Sequence, residues 1–211
     1  MNKDIRRTFA NIPTLETDRL TLRKIRVTDC EDMYEYACQP EVTKYLLWQP
    51  HSDSRYTREY LERLQTQYRN GEFYDWAVVI RESCEAGWGV FRHESVLEKM
   101  IGTCGFTSLW PEDNRGEIGY VLNPKYWGKG IMSEAVARVL AFGFSELGLN
   151  RIEARYMVGN ERSLGLMQHC GMTFEGVHRE LMLVKGIYRD IGTCAILARD
   201  FFDQQNQSVS P

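Results

Sequence analysis

The sequence predicts an α+β fold built on one mixed, mostly antiparallel sheet. Three strand patterns follow one another between Trp76 and Leu122 with no helical pattern between them, an order that suits antiparallel pairing. One strand–helix–strand unit, from Glu117 to Val158, calls for a single parallel crossover. Consecutive strands without intervening helices elsewhere in the order make a mixed sheet, not a doubly wound one, the expectation.

The elements follow from local patterns. Leu20, Leu22 and Arg23 lie in an alternating run that marks a short first strand. Thr28 and Glu31 form a capping-box pattern that opens a helix to about Ala37. Tyr56, Tyr60, Leu61, Leu64 and Tyr68 recur at helical spacing, predicting a helix over 55–69 with Gly71 placed to end it. Strands are expected over 76–80 and 101–107. The stretch 81–99 between them holds two glycines and several charges and reads as a long hairpin excursion or loop. Residues 111–116 are a turn by composition and lead into a strand over 117–122.

The clearest helix spans 133–147, where Ala135, Val136, Val139, Leu140, Phe142 and Phe144 fill the buried faces and Gly148 stops it. A strand over 151–158 and a short helix over 163–169, closed by Gly171, come next. Two last strands, 174–184 and 190–197, are joined through Lys185-Gly186, and 203–211 is a polar, frayed tail. With no internal repeat, residues 1–211 read as a single domain with its core over about 14–200.

Composition narrows the function. Net charge is −3, from 26 basic and 29 acidic residues, whereas proteins held by nucleic-acid phosphates usually carry a basic surplus. No stretch approaches the ~20 apolar residues that cross a bilayer, and the first residues carry no apolar segment suited to a secretory signal. The expectation is a cytoplasmic protein without nucleic-acid or membrane partners. The six cysteines show no C-x-x-C pair and read as reduced thiols, mostly small core residues. The four histidines are scattered without an H-E-x-x-H motif, so no metal is expected. Oligomeric state leaves no signature.

The informative segment runs from Glu117 to Ala135 and contains Trp127-Gly128-Lys129-Gly130-Ile131-Met132-Ser133. A strand enters a glycine-rich turn and a strong helix begins at once. Glycines let the backbone approach an anion with its N–H groups turned inward, and a helix N-terminus adds unpaired N–H groups and a positive dipole end. Together these suit a pyrophosphate. Ser133 can cap the helix and donate to a phosphate oxygen. A P-loop fits poorly, because no glycine stands at the required distance before Gly128-Lys129. A Rossmann loop fits poorly, because Ser133 stands at its third glycine and the turn begins several residues beyond its strand.

The segment resembles the pyrophosphate loop of the GNAT superfamily, [Q/R]-x-x-G-x-[G/A], with Gly130 at its central glycine, Trp127 in place of Gln or Arg, and Met132 in place of the last small residue. Those departures are usual in the RimJ/RimL-like branch of ribosomal-protein N-terminal acetyltransferases, which carries W-G-x-G-[IY]-[AM]-[ST]-E-A. The same branch has L-x-T-x-R-L-x-L-R near its start, here Leu15 to Arg23, and N-x-x-S and G-[FM] around its short helix, here Asn160, Ser163, Gly171 and Met172. The resemblance covers about 14–200.

This resemblance implies a three-layer α/β/α GNAT fold whose sheet splays at the cofactor site, with acetyl-CoA as co-substrate. It implies that backbone groups of Tyr120 and Leu122 pair with pantetheine, that residues 127–133 hold the pyrophosphate, and that Asn160 fixes a bend or contacts pantetheine. Arg115, Lys125 and Lys129 are candidates to flank the phosphates. Glu117, entering the splayed strand beside the thioester, is the expected base. Many members place a tyrosine as general acid in the following helix; none occurs between Ser163 and Gly171, so Ser163 is assigned to the departing thiolate. The acceptor is an amine, and a protein N-terminus such as that of a ribosomal protein is the leading reading. An α-amine near pKa 8 is roughly a tenth neutral at pH 7, whereas a lysine amine near 10.4 is neutral in about one part in a few thousand. Small amines and a non-catalytic acyl-CoA-binding module are the alternatives.

Overall fold

The computed structural model describes residues 5–82 and 97–208. Strands β1 (Leu15–Glu16), β2 (Leu20–Arg23), β3 (Tyr74–Glu82), β4 (Leu97–Trp110), β5 (Arg115–Leu122), β6 (Arg151–Met157), β7 (Thr173–Val184) and β8 (Ile187–Leu197) form one sheet in the order β1-β2-β3-β4-β5-β6-β8-β7. Every neighbouring pair is antiparallel except β5–β6. That exception is the crossover the 117–158 unit predicted.

Period-two alternation gives the sheet two apolar faces. On β3, Trp76 and Val78 face one way and Ala77 and Val79 the other. Helices α1 (Ile5–Ala10), α5 (Ile131–Ser145), α6 (Glu161–His169) and α7 (Ala198–Ser208) cover the first face, burying Phe9, Phe142, Met167 and Phe201 against Trp76, Ile118 and Ile152. Helices α2 (Cys30–Ala37), α3 (Pro40–Thr43) and α4 (Ser54–Asn70) cover the second, with Met33, Val42, Leu61 and Tyr68 against Ala77, Val79 and Met100. Each large apolar side chain fully withdrawn from water contributes about 1.5–3 kcal/mol. The result is the three-layer α/β/α arrangement. No helix among the described residues is long and apolar enough to cross a membrane.

Several expectations shift. The 28/31 capping box does not form: a 3₁₀ turn over Val27–Asp29 leads into α2, which starts at Cys30. The carboxylate of Asp29 instead accepts the Arg26 N–H at 2.7 Å and both Nη groups of buried Arg23 at 2.9 and 2.8 Å. A bidentate buried pair of this kind outweighs a local cap, because breaking it would strand a charge. At α4 the expected helix is capped by Asp53, which accepts from the Tyr56 N–H at 2.7 Å, and ends at Gly71. The ends of the 81–99 stretch belong to β3 and β4, paired from Ile80↔Lys99 to Glu82↔Leu97; its middle, 83–96, lies outside the described residues, as does Cys84. Within 111–116, Pro111–Asp113 form a 3₁₀ turn while Arg115 and Gly116 already belong to β5. The frayed tail is corrected to helix α7 as far as Ser208, because the Phe201 ring lies 4.9 Å from Phe144 and fixes the first turn. Helix α1 carries one deeply buried residue, Phe9, too little for a periodic signal.

One contact ties the two helical layers' loops to the sheet. Glu35 on α2 binds Lys99 of β4 at 2.6 Å and also Lys125, just beyond β5. Those ammonium groups, Lys125 first, pull its carboxyl from 4.5 down to about 2. A depressed carboxyl stabilises the fold above its unfolded pKa and loses that effect as pH falls through its folded one. The melting-temperature gap between wild type and Glu35→Gln should therefore be widest above about pH 4.5 and narrow as pH falls towards 2, measurable by calorimetry across that range.

Candidate active site

Parallel pairing of β5 and β6 runs from Arg115↔Arg151 to Ile118↔Ala154 and then stops. β5 stays on β4 as far as Leu122↔Gly102, and β6 stays on β8 as far as Met157↔Ile191, so the two strands diverge. The expected splay is present. The Asn123 N–H donates to Ile101 O at 2.8 Å, so alternation turns the main-chain groups of Tyr120 and Leu122 to the opposite edge, into the gap. One of these groups is already engaged: Trp127 Nε1 donates to Leu122 O at 2.8 Å.

Beyond the strand, Asn123 Oδ1 accepts the Lys125 N–H at 3.1 Å and starts a 3₁₀ turn over Pro124–Tyr126. Gly128 and Gly130 then take φ values of 72° and 70°. Among the described residues, a β-carbon at Gly128 would meet nothing within 4 Å, and one at Gly130 would meet Arg19 Nη2 at 3.7 Å. Backbone conformation, not crowding, calls for glycine at both sites. Gly130 occupies the N-cap position and α5 begins at Ile131, two residues before the expected start, so Ser133 stands in the first turn and does not cap the helix. Ile131 and Met132 are buried, which explains how a methionine fits where relatives of this loop hold a small residue. The loop thus anchors itself by side chains pointing inward, while the first-turn N–H groups have no partner within the helix.

The flanking cations are placed differently from expectation. Arg115 sits at the opposite end of β5, bonded to Glu153 at 3.1 Å and stacked 3.9 Å over Trp110. Lys125 is committed to Glu35. Lys129 lies beside the loop, 5.3 Å over the Tyr126 ring. Sequence reasoning missed a further cation beside the loop: the Arg162 guanidinium, in the first turn of α6, lies 4.8 Å over Trp127.

A long-range tether holds the loop. Glu134 Oε1 accepts from Thr17 Oγ1 at 2.6 Å and from the Arg19 N–H at 3.0 Å, Oε2 accepts from Arg19 Nε at 2.6 Å, and Arg19 Nη1 donates to Lys129 O at 3.1 Å. Burial opposes the charged form of Glu134, but these bonds together hold its carboxyl below the ordinary value. The N-terminal motif and the loop motif are therefore one unit.

At the point of divergence, Glu117 is largely withdrawn from solvent. Its carboxylate accepts from Thr107 Oγ1 at 3.2 Å and lies 3.4 Å from Arg155 Nε. Burial pushes its pKa up, and Arg155 and Thr107 pull only part of it back. On the other face, the Tyr120 hydroxyl lies 2.8 Å from Ser163 Oγ. β5 thus brings a tyrosine hydroxyl to Ser163, a contact that sequence separation hides. Burial raises the Tyr120 pKa well above its usual value, keeping the hydroxyl protonated. Ser163 does not cap α6; Asn160 does, its Oδ1 accepting the Ser163 N–H at 3.3 Å.

Since the loop depends on left-handed glycine, Gly130→Ala should cost about 1–2 kcal/mol in urea unfolding and reduce the thermal shift that acetyl-CoA produces. An unchanged unfolding midpoint and thermal shift would remove the conformational argument.

Comparison with known proteins agrees with this geometry. The GNAT acetyltransferase domain model matches residues 19–173. The uncharacterized N-acetyltransferase p20 of Bacillus licheniformis is 34% identical over 188 residues, covering 89% of this chain and 98% of that protein. The [ribosomal protein uS5]-alanine N-acetyltransferase of Escherichia coli is 26% identical over 203 residues, covering 91% and 95%. A GNAT-family acetyltransferase crystal structure from Bacillus anthracis superposes with a TM-score of 0.74 at 26% identity, covering 89% of this chain and 99% of that one. Family model, near-full-length relatives and splayed sheet agree that the chain belongs to the GNAT acetyltransferase family and is an acetyl-CoA-dependent N-acetyltransferase.

Proposed function

We propose that the acceptor is a protein N-terminal α-amine, that Glu117 serves as its base, and that Ser163 with Tyr120 serves the leaving sulfur. The carrying observation is the pair of sites flanking the splay: a carboxylate of raised pKa on one face and a hydroxyl pair 2.8 Å apart on the other. Main-chain amides of 128–133 hold the pyrophosphate, with Ser133 Oγ and the Trp127–Arg162 stack at its border. Backbone groups of Tyr120 and Leu122 hold pantetheine, and Asn160 shapes the turn that presents Ser163.

In this reading the neutral amine attacks the thioester carbonyl carbon and the C–S bond breaks. The amine proton passes to Glu117, directly or through one water, and the thiolate takes a proton through the Ser163–Tyr120 hydroxyl pair; solvent restores the Tyr120 proton as Glu117 releases its own, so no net proton is left on the enzyme. An α-amine suits a base of modest strength, because roughly a tenth of it is already neutral at pH 7. The similarity to an enzyme named for a ribosomal-protein alanine supports an N-terminal acceptor. A small free amine is the second reading, favoured by a cavity of 440 Å³ near Glu117 that would take a molecule of that size.

Glu117→Gln should lower kcat about 10²–10⁴-fold while acetyl-CoA affinity by calorimetry stays within about twofold. Wild-type kcat/KM should fall as pH drops below the raised Glu117 pKa, and the variant should lose that limb. Turnover by Glu117→Gln equal to wild type from acid to neutral pH would remove this residue from the mechanism.

A further inference from the structure

Next to Glu117 the acceptor face carries a charged cavity that the reaction chemistry does not require. Its volume is 440 Å³, and Arg115, Arg151, Glu153, Arg155, Glu175 and Thr193 are among its lining residues. The strands explain why they converge. Arg115 and Glu117 alternate on β5, while Arg151, Glu153 and Arg155 alternate on β6, in parallel register with Arg115↔Arg151 and Glu117↔Glu153. Thr193 of β8 sits directly across from Arg155.

Glu153, 5% exposed, is the hub. Its Oε1 accepts from Arg115 Nη1 and Arg155 Nη2, both at 3.1 Å, and its Oε2 accepts from Arg151 Nε and Nη2, both at 3.2 Å. Arg151 commits four bonds in all, because it also forms a two-bond pair with Glu175 at 2.8 and 2.6 Å. Arg115 and Arg155 commit fewer: each guanidinium carries five N–H donors in a fork that matches a carboxylate, and Glu153 takes one from each. Glu153 thus fixes two guanidinium groups in place without exhausting them. Thr193, 8% exposed, has its hydroxyl oxygen withdrawn from the surface with no hydrogen-bond partner among the described residues, so a ligand oxygen reaches it once the side chain rotates about χ1. Asp113 lies 4.0 Å from Arg115 and Glu117 3.4 Å from Arg155, so the choice of ligand rests on the planar two-donor fork that each guanidinium offers a carboxylate and not on net charge.

From this arrangement we propose, on top of the acetyl-transfer reading above, that the cavity is an acceptor subsite for a carboxylate close to the reacting amine, bound by Arg115 and Arg155 with Thr193 at its floor. Binding there also bears on the base. Arg155 is the cation beside Glu117, so a carboxylate that draws on its donors weakens its hold on Glu117 and leaves that group more basic as the acceptor arrives.

The test compares kcat/KM for matched acceptors. One arm uses peptides beginning Ala-Asp or Ala-Asn, and the other uses 4-aminobutyrate or its amide, so that a peptide and a small-molecule source of the carboxylate are told apart. Wild type should prefer the acid over its amide by roughly tenfold or more in at least one arm. That ratio should fall towards one in Arg115→Gln, or by a few-fold in the near-isosteric Thr193→Val, with folding of each variant checked by its acetyl-CoA thermal shift. A drop in either folded variant supports the subsite. Equal rates for acid and amide in both arms, or a preference that both variants keep, would overturn it while leaving acetyl transfer intact. Absence of turnover on all four acceptors would overturn the transfer reading and the subsite with it.

Discussion

The site rests on the Glu134 carboxylate and its partners. A glycine-rich turn that opens a helix leaves the first-turn N–H groups without intrahelical partners, which is unfavourable for a folded chain because such groups normally find intramolecular ones. Here the conformation is held from behind. Thr17 and Arg19, more than a hundred residues away, clamp Glu134 and the Lys129 carbonyl, while Ile131 and Met132 anchor the helix start in the core. Positive φ at Gly128 and Gly130 then becomes the ground state of the loop. Preorganisation of this kind lets an anion bind without first ordering the chain.

A second constraint is the place where β5 and β6 part. Up to Ile118 and Ala154 they share one ladder, and beyond it each is held only by its outer neighbour, β4 or β8. The gap is therefore a consequence of register and not of a missing segment. It places Glu117 at its apex on one face and Tyr120 with Ser163 on the other. A carboxylate and a hydroxyl pair are thus separated by the thickness of the sheet. Burial keeps the Tyr120 hydroxyl protonated and raises the Glu117 pKa, the second in the direction that the proposed base needs.

What the sequence made legible was set by how local the determinants are. Helix α5, with Val136, Val139, Leu140 and Phe142 on its buried faces, and the antiparallel run of strands carry their periodicity in adjacent residues. The glycine-rich turn likewise declares its backbone need locally. Contacts between distant residues did not declare themselves. The Arg23–Asp29 pair displaced a plausible capping box, and Phe201 against Phe144 turned a polar tail into a helix. Tyr120 was legible as a backbone partner but not as the side chain that meets Ser163, because the two stand 43 positions apart in sequence. Arg115 looked close to the loop in sequence, yet a whole strand separates them, and it serves the charged cavity instead.

The central claim is that an acetyl-CoA pyrophosphate sits on the amides of 128–133 while its thioester reaches the gap beside Glu117. The most direct test is a crystal structure of the acetyl-CoA complex. The account predicts pyrophosphate oxygens within about 3.2 Å of those amides and pantetheine running along Tyr120 and Leu122. Amides of the loop turned into the protein interior, or a cofactor lodged on another face of the sheet, would contradict it.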